Sequence, residues 1–256
     1  MTTLRVYEED TKQCNFYKEM YKNQTLVFVL KMKHKYSKLD NVKMTMNKAL
    51  SLLDSFIDPS DPDLNEPNSV HAYQTAERIR KKYPEDKEYQ IIGLIHDIGK
   101  VLFTFGEPEW SITGDTFVVG CKLPESMVYY NETKDHPDRN NTLLGIYEKG
   151  CGIENLNISF GHDEYLYQVL KQNNGNHKIS EKYWDIIRYH SFYPWHDKGE
   201  YKHFMNDSDN DKLKLVKEFN VFDLYSKEDI DLEITDEIKK YYENLLNDYF
   251  FKELQW

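Results

Sequence analysis

Cysteine is scarce: the 256 residues contain three, Cys14, Cys121 and Cys151, odd in number and far apart. That excludes a disulfide framework, and the lack of any CxxC pair excludes a thiolate metal knuckle. Long apolar runs are missing as well, and no stretch approaches the length of a membrane span. The opening MTTLRVYEEDTKQ has no charged-then-apolar leader. The expectation is a cytoplasmic, reduced protein with no membrane partner. Positive charge is in deficit, with 33 Lys and Arg against 44 Asp and Glu and a net charge of −11. A nucleic-acid binder would carry a basic footprint, so nucleic acid is not an expected partner, and neither is an anionic membrane surface. No internal repeat, low-complexity tract or interdomain linker interrupts the chain.

What is present is a soluble globular composition, 39% hydrophobic and 30% charged, with 14% aromatics. The length fits one large domain with ample core. Residues 1–256 are read as a single domain, with 1–20 a polar, loosely packed N-terminal arm. Apolar periodicity predicts helices over 14–34, over Met44–Ile57, from Pro67-Asn68-Ser69 to about Tyr83, and over Lys87–Leu102. It resumes near 140–148, 162–173, 180–191, 209–220 and 235–250. Between the second and third helices, Asp58-Pro59-Ser60-Asp61-Pro62-Asp63 is made a loop by two prolines. Its carboxylates and hydroxyls suit turn and cap chemistry, and also polyol binding. Residues 103–137 are rich in Gly, Pro and aromatics, and a small β-hairpin is expected at 112–119 around Gly114-Asp115. The fold class is all-α.

The centre of the chain is Gly93-Leu94-Ile95-His96-Asp97-Ile98-Gly99-Lys100. Here an apolar helix carries a His-Asp pair, and a buried Asp is costly unless paired or bound to a cation. The segment is not a phosphate loop: the glycine spacing is one residue too long, and Val101 replaces the required Ser or Thr. Nine histidines are present, and four stand in apolar settings: His71, His96, His162 and His190. Asp223 lies between Phe222 and Leu224. Any one of these alone is more often a satisfied core residue than a ligand. Several on successive helices can converge on one volume. Four imidazoles with Asp97 and Asp223 make six ligands, too many for one catalytic zinc but suited to two metals if one carboxylate bridges. Imidazole with carboxylate fits iron or manganese. No HExxH is present. Only Glu200-x-x-His203, in a hydrophilic stretch, matches the Glu-x-x-His pattern of ferritin-like di-iron bundles.

The pattern H…HD…H…D on successive helices resembles the HD-domain superfamily. Longer words resemble the myo-inositol oxygenase family, a non-haem di-iron branch with an HD-type helical bundle: DPDLNEPNSVHAYQTAE, GLIHDIGKVL, FGEPEW, GDTFVVGC, SFGHDEYLYQV, RYHSFYPWH and EFNVFDLYSK. They run in order over roughly residues 40 to 256. The resemblance implies two iron ions, mixed-valent Fe(II)/Fe(III) when active. His71, His96, Asp97 and Asp223 would hold one, and Asp97 would bridge to a second held by His162 and His190. Substrate contacts would fall on Asp58, Ser60, Lys100, Gly114, Asp115, His190, Ser191 and Lys227, with Asp97 and Lys100 in the catalytic machinery. Pro59 departs from the family, where an acidic residue is usual. The family's N-terminal substrate-binding arginine has only Arg5 as a counterpart, out of register. The implied reaction is dioxygen-dependent ring cleavage of myo-inositol to D-glucuronate, the first step of inositol catabolism, by a monomer.

Two other functions compete. An HD phosphohydrolase would need a cluster of basic residues for phosphate, and only Lys100 and Lys227 are on offer, with no arginine fork. A catalytically silent metal-binding protein would not need all six ligands intact. The ordinary fate of either lysine is surface helix charge. Asp115 reads equally as a hairpin turn or as a polyol contact, with Gly114 permitting close approach.

Overall fold

The computed structural model describes residues 11–61, 66–226 and 233–256, with the side chains of 225 and 226 left out. Arg5 and Lys227 therefore lie outside the described residues. Helices dominate: α1 Lys12–Asn23, α2 Leu26–Lys35, α3 Met46–Leu52, α4 Asn68–Lys82, α5 Lys87–Ile95, α6 His162–Gln172, α7 Trp184–Tyr189, α8 Tyr193–His196, α9 Asp209–Ser226 and α10 Asp236–Tyr249. Their starts follow capping chemistry. Thr11, Thr25, Thr45, Asp86 and Thr235 each accept a hydrogen bond from a backbone N–H of the first turn. The two-stranded antiparallel sheet pairs β1, Lys43–Met44, with β2, Leu254–Gln255. Among the described residues no helix is long and apolar enough to cross a membrane.

The helix expected over 14–34 is two helices. Gln24 leaves helical geometry, its side chain bonded to both the N–H and the carbonyl of Phe160, and Thr25 caps the next helix. Tyr17, Met20 and Tyr21 of α1 are buried, so the second half of the expected arm belongs to the core. Residues 140–148 form turns rather than a helix. Asn141 and Thr142 turn their side chains onto nearby backbone amides, and Gly145 takes a left-handed φ of 56°. The small β element also lies elsewhere than 112–119. Instead of pairing with each other, those residues bond outward: Ile112 O accepts from His162 N, Thr116 N donates to Ser191 O, and Val118 forms an isolated bridge with Ile158.

Two sets of packed helices frame the centre. α4 packs on α5 and α9, and α6 packs on α7 and on a 3₁₀ segment, Ile98–Phe105. The helix expected over Lys87–Leu102 thus stops at Ile95 and tightens after the His96-Asp97 pair. Gly99 explains the site of the change: a Cβ there would lie 1.9 Å from the carbonyl oxygen of His162. Only glycine lets the segment after Asp97 press against the first turn of α6.

Candidate metal centre

Each candidate ligand sits on a different helix, or at a helix end, and all are buried. His71 is in the first turns of α4, His96 and Asp97 follow α5, His162 opens α6, His190 closes α7 and Asp223 is on α9. Asp97 is central. Its Oδ2 faces His71 Nε2 at 3.8 Å and His96 Nε2 at 3.5 Å, while its Oδ1 faces His162 Nε2 at 3.1 Å and His190 Nε2 at 3.5 Å. The donor atoms form two groups sharing one carboxylate: His71, His96 and Asp97, and Asp97, His162 and His190. Asp223 Oδ1 joins the first group, 2.9 Å from His71 Nε2 and 3.6 Å from His96 Nε2.

The tautomers give these contacts a sign. His96 Nδ1 donates to Gly93 O at 2.8 Å, His162 Nδ1 to Ile112 O at 2.7 Å and His190 Nδ1 to Ile187 O at 3.0 Å. A nitrogen against a carbonyl carries the proton, so in the neutral ring each Nε2 is left with a bare lone pair. His162 Nε2 and His190 Nε2 then face each other at 3.0 Å, and His96 Nε2 is buried with no hydrogen-bond partner. Two lone pairs in contact repel unless a cation takes both, and imidazoles fixed through the opposite nitrogen are the usual form of metal-ligating histidine. Burial pushes the His190 pKa down, against protonation as the remedy. The buried imidazole and carboxylate donors fit a metal cofactor.

Lys100 is buried, 4% exposed, and its Nζ donates to Asp58 Oδ2 at 2.7 Å and to Asp97 Oδ2 at 2.8 Å. In a 3₁₀ turn residues i and i+3 eclipse, which sets Lys100 directly over Asp97. Burial alone would lower the lysine pKa; Asp58 and Asp97 outweigh it and raise it. Burial alone would raise both carboxyls; Lys100 holds Asp58 below the ordinary range and Asp97 well below it. The group is one charged unit.

One cavity is lined by Asp58, Ser60, Asp61, His71, Asp97, Lys100, Gly114, Asp115, His162, His190, Ser191, Tyr193 and Asp223. Every candidate substrate contact within the described residues is among them. Ser60 donates to Asp58 Oδ1 at 2.6 Å, and Ser191 Oγ is 3.4 Å from His162 Nε2. Gly114, at φ 96°, turns under Met20 of α1, and Tyr17 of α1 donates to Asp115 Oδ1 at 3.1 Å. Pro59 instead lines an outer cleft with Phe16 and Trp110.

Sequence reasoning missed three participants. Asn68 Nδ2 donates to Asp97 Oδ2 at 3.0 Å, Tyr193 OH reaches Asp223 Oδ2 at 3.4 Å, and Asp61 lines the cavity. Asn68 had a signal, its place one turn before His71, but it read as helix-start chemistry. Of the histidines outside the constellation, His136 and His177 use both ring nitrogens on backbone groups, and His196 Nε2 donates to His190 O.

The sequence profile of the family described as Myo-inositol oxygenase matches residues 10–256. An inositol oxygenase of Danio rerio is 46% identical over 248 residues, covering 94% of this chain and 88% of the relative. Inositol oxygenase 1 of Arabidopsis thaliana is 43% identical over 265 residues, covering 99% and 84%. The inositol oxygenase of Mus musculus is 43% identical over 245 residues, covering 94% and 85%. With the profile spanning nearly the whole sequence, the chain belongs to the myo-inositol oxygenase family.

Proposed function

We propose that this enzyme cleaves the ring of myo-inositol with dioxygen, giving D-glucuronate at a pair of iron ions, as the first step of inositol catabolism. It would work as a cytoplasmic monomer. His71, His96, Asp97 and Asp223 would hold one ion and Asp97, His162 and His190 the other. The observation that carries the reading is the pair of bare, facing imidazole nitrogens beside a carboxylate whose two oxygens serve two ligand groups. The ions, mixed-valent Fe(II)/Fe(III), would supply redox chemistry toward dioxygen and lower the pKa of a coordinated hydroxyl.

The chain's own residues do the rest. Asp58, Ser60, Asp115 and Ser191 offer carboxylates and hydroxyls that accept and share hydrogen bonds with a polyol. His190 belongs both to the ligand set and to the cavity wall. Lys100 keeps its proton, because both of its carboxylate partners raise its pKa. It therefore acts as a fixed positive charge and donor, not as a base, and it stabilises negative charge that develops on substrate or oxygen. Lys227, outside the described residues, is proposed as a further substrate contact. The three carboxylates Asp58, Asp61 and Asp115 along the wall disfavour a phosphate dianion.

The test is oxygen uptake by iron-loaded protein given myo-inositol, with the product identified. Glucuronate should form with one dioxygen consumed per ring opened, and turnover should stop anaerobically. Turnover that continues without dioxygen, or efficient release of phosphate from nucleotides, would move the assignment to an HD phosphohydrolase.

A further inference from the structure

Behind the metal centre, α6 and α7 are joined a second time. Glu164, two residues after His162, accepts from Arg188 Nε at 2.8 Å, and Arg188 lies two residues before His190. Both side chains are buried, at 1% and 8% exposure. Two residues along an α-helix is about 200° of rotation, so the ion pair lies on the face opposite the histidine on each helix. Each partner is held further. Gln168 donates to Glu164 Oε1 at 3.0 Å, and Lys33 of α2 stands 3.9 Å away. Arg188 Nη1 donates to Tyr189 OH at 3.0 Å, and its guanidinium lies 4.6 Å over the Tyr167 ring.

We propose that the Glu164–Arg188 pair is a positioning device for the second metal, fixing the rotation of α6 against α7 so that His162 and His190 present Nε2 to one ion. The inference rests on the two-metal reading above. Its physical need is plain. Without an ion, the facing lone pairs at 3.0 Å push the two helices apart on the metal side. An attractive contact on the far side keeps them in register before the ion arrives. A buried ion pair contributes little net stability against an apolar replacement of the same shape. Its distinct property is directional: the single Nε–Oε2 contact, with both ends braced, allows one rotation of the pair. The first ligand group stands on α4, the end of α5 and α9, elements that carry neither Glu164 nor Arg188.

The experiment is anaerobic titration of metal-free protein with Fe(II), reading ions retained per chain and the paramagnetic signature of a coupled iron pair. The variants are the double Glu164→Gln/Arg188→Met, which removes both charges and leaves no unpaired buried ion, and the conservative Arg188→Lys. Wild-type protein should hold two ions. The double variant should hold one at wild-type affinity, bind the second at least about tenfold more weakly, as supporting-residue losses at metal sites do, and lose the coupled signature. Arg188→Lys should restore part of both. Wild-type affinity for both ions in the double variant would overturn the inference, and so would loss of both ions together, including by unfolding. Wild-type protein that took up fewer than two ions would sink the two-metal reading itself.

Discussion

Asp97 uses both carboxylate oxygens on different partners, and its surroundings are arranged to keep it ionised. Lys100 and Asn68 donate to the same oxygen, Oδ2, at 2.8 and 3.0 Å. Replacing Lys100 with Ala removes the cation from two buried carboxylates. In metal-free protein this should cost roughly 3–5 kcal/mol, the range for breaking a buried pair, as read by denaturant unfolding. Iron loading should recover part of that loss, because the ions replace the missing charge on Asp97. The loaded variant should keep its iron, while kcat/KM for myo-inositol falls by about a hundredfold or more, as for loss of a transition-state donor. Wild-type kinetics would make Lys100 a purely structural charge. The candidate ligands were legible in the sequence because several histidines and aspartates in apolar words fall on successive helices, although any one alone reads as a core residue. Asn68 and Asp61 were not, since Asn and Asp beside a helix start or a proline loop usually do turn chemistry.

At the scale of elements, two departures from simple periodicity lie at the candidate site. Periodicity runs through His96 and Asp97 without a signal, yet the helix tightens there into 3₁₀ turns and sets Lys100 over Asp97. The cause is a contact distant in sequence, the Gly99–His162 approach, which no local pattern records. Residues 112–119 failed to form a hairpin for the same kind of reason. Their backbone groups are claimed by His162, Ser191 and Asn157, far along the chain. Gly99→Ala should therefore act on α6 rather than locally. The inserted methyl has no room at 1.9 Å from His162 O, so His162 must shift. Destabilisation of about 1–3 kcal/mol, the usual cost of overpacking, should be accompanied by loss of iron from the His162–His190 group. A variant with unchanged melting temperature and full iron content would contradict this account of the close approach.

For the whole molecule, the all-α class followed from composition and helical periodicity, and most helices outside 140–148 fell where the apolar spacing put them. The way they meet did not, because contacts such as Gln24 with Phe160 or Glu164 with Arg188 are set by tertiary packing. That packing also buries histidines outside the candidate ligand set. Burial drives the His196 pKa down to about 4, and His136 and His177 are lowered too. In the unfolded chain a histidine takes up its proton near pH 6.5. Between that pH and about 4 the unfolded state binds one more proton at His196 than the folded state, so stability falls as pH falls. Roughly 3 kcal/mol should be lost across that window from His196 alone. His196→Gln should flatten the profile between pH 6.5 and 4 in urea unfolding of the metal-free protein. An unchanged slope would show that His196 is not the group responsible.

In the proposed centre one aspartate joins two metals within a constellation of six side chains. Anomalous diffraction at the iron edge from iron-loaded crystals tests it most directly. Two peaks should appear about 3.5–4 Å apart, the usual spacing of two-metal sites, with Asp97 between them, His71, His96 and Asp223 on one and His162 and His190 on the other. A single peak, or two peaks of which one lies away from Asp97, would contradict it.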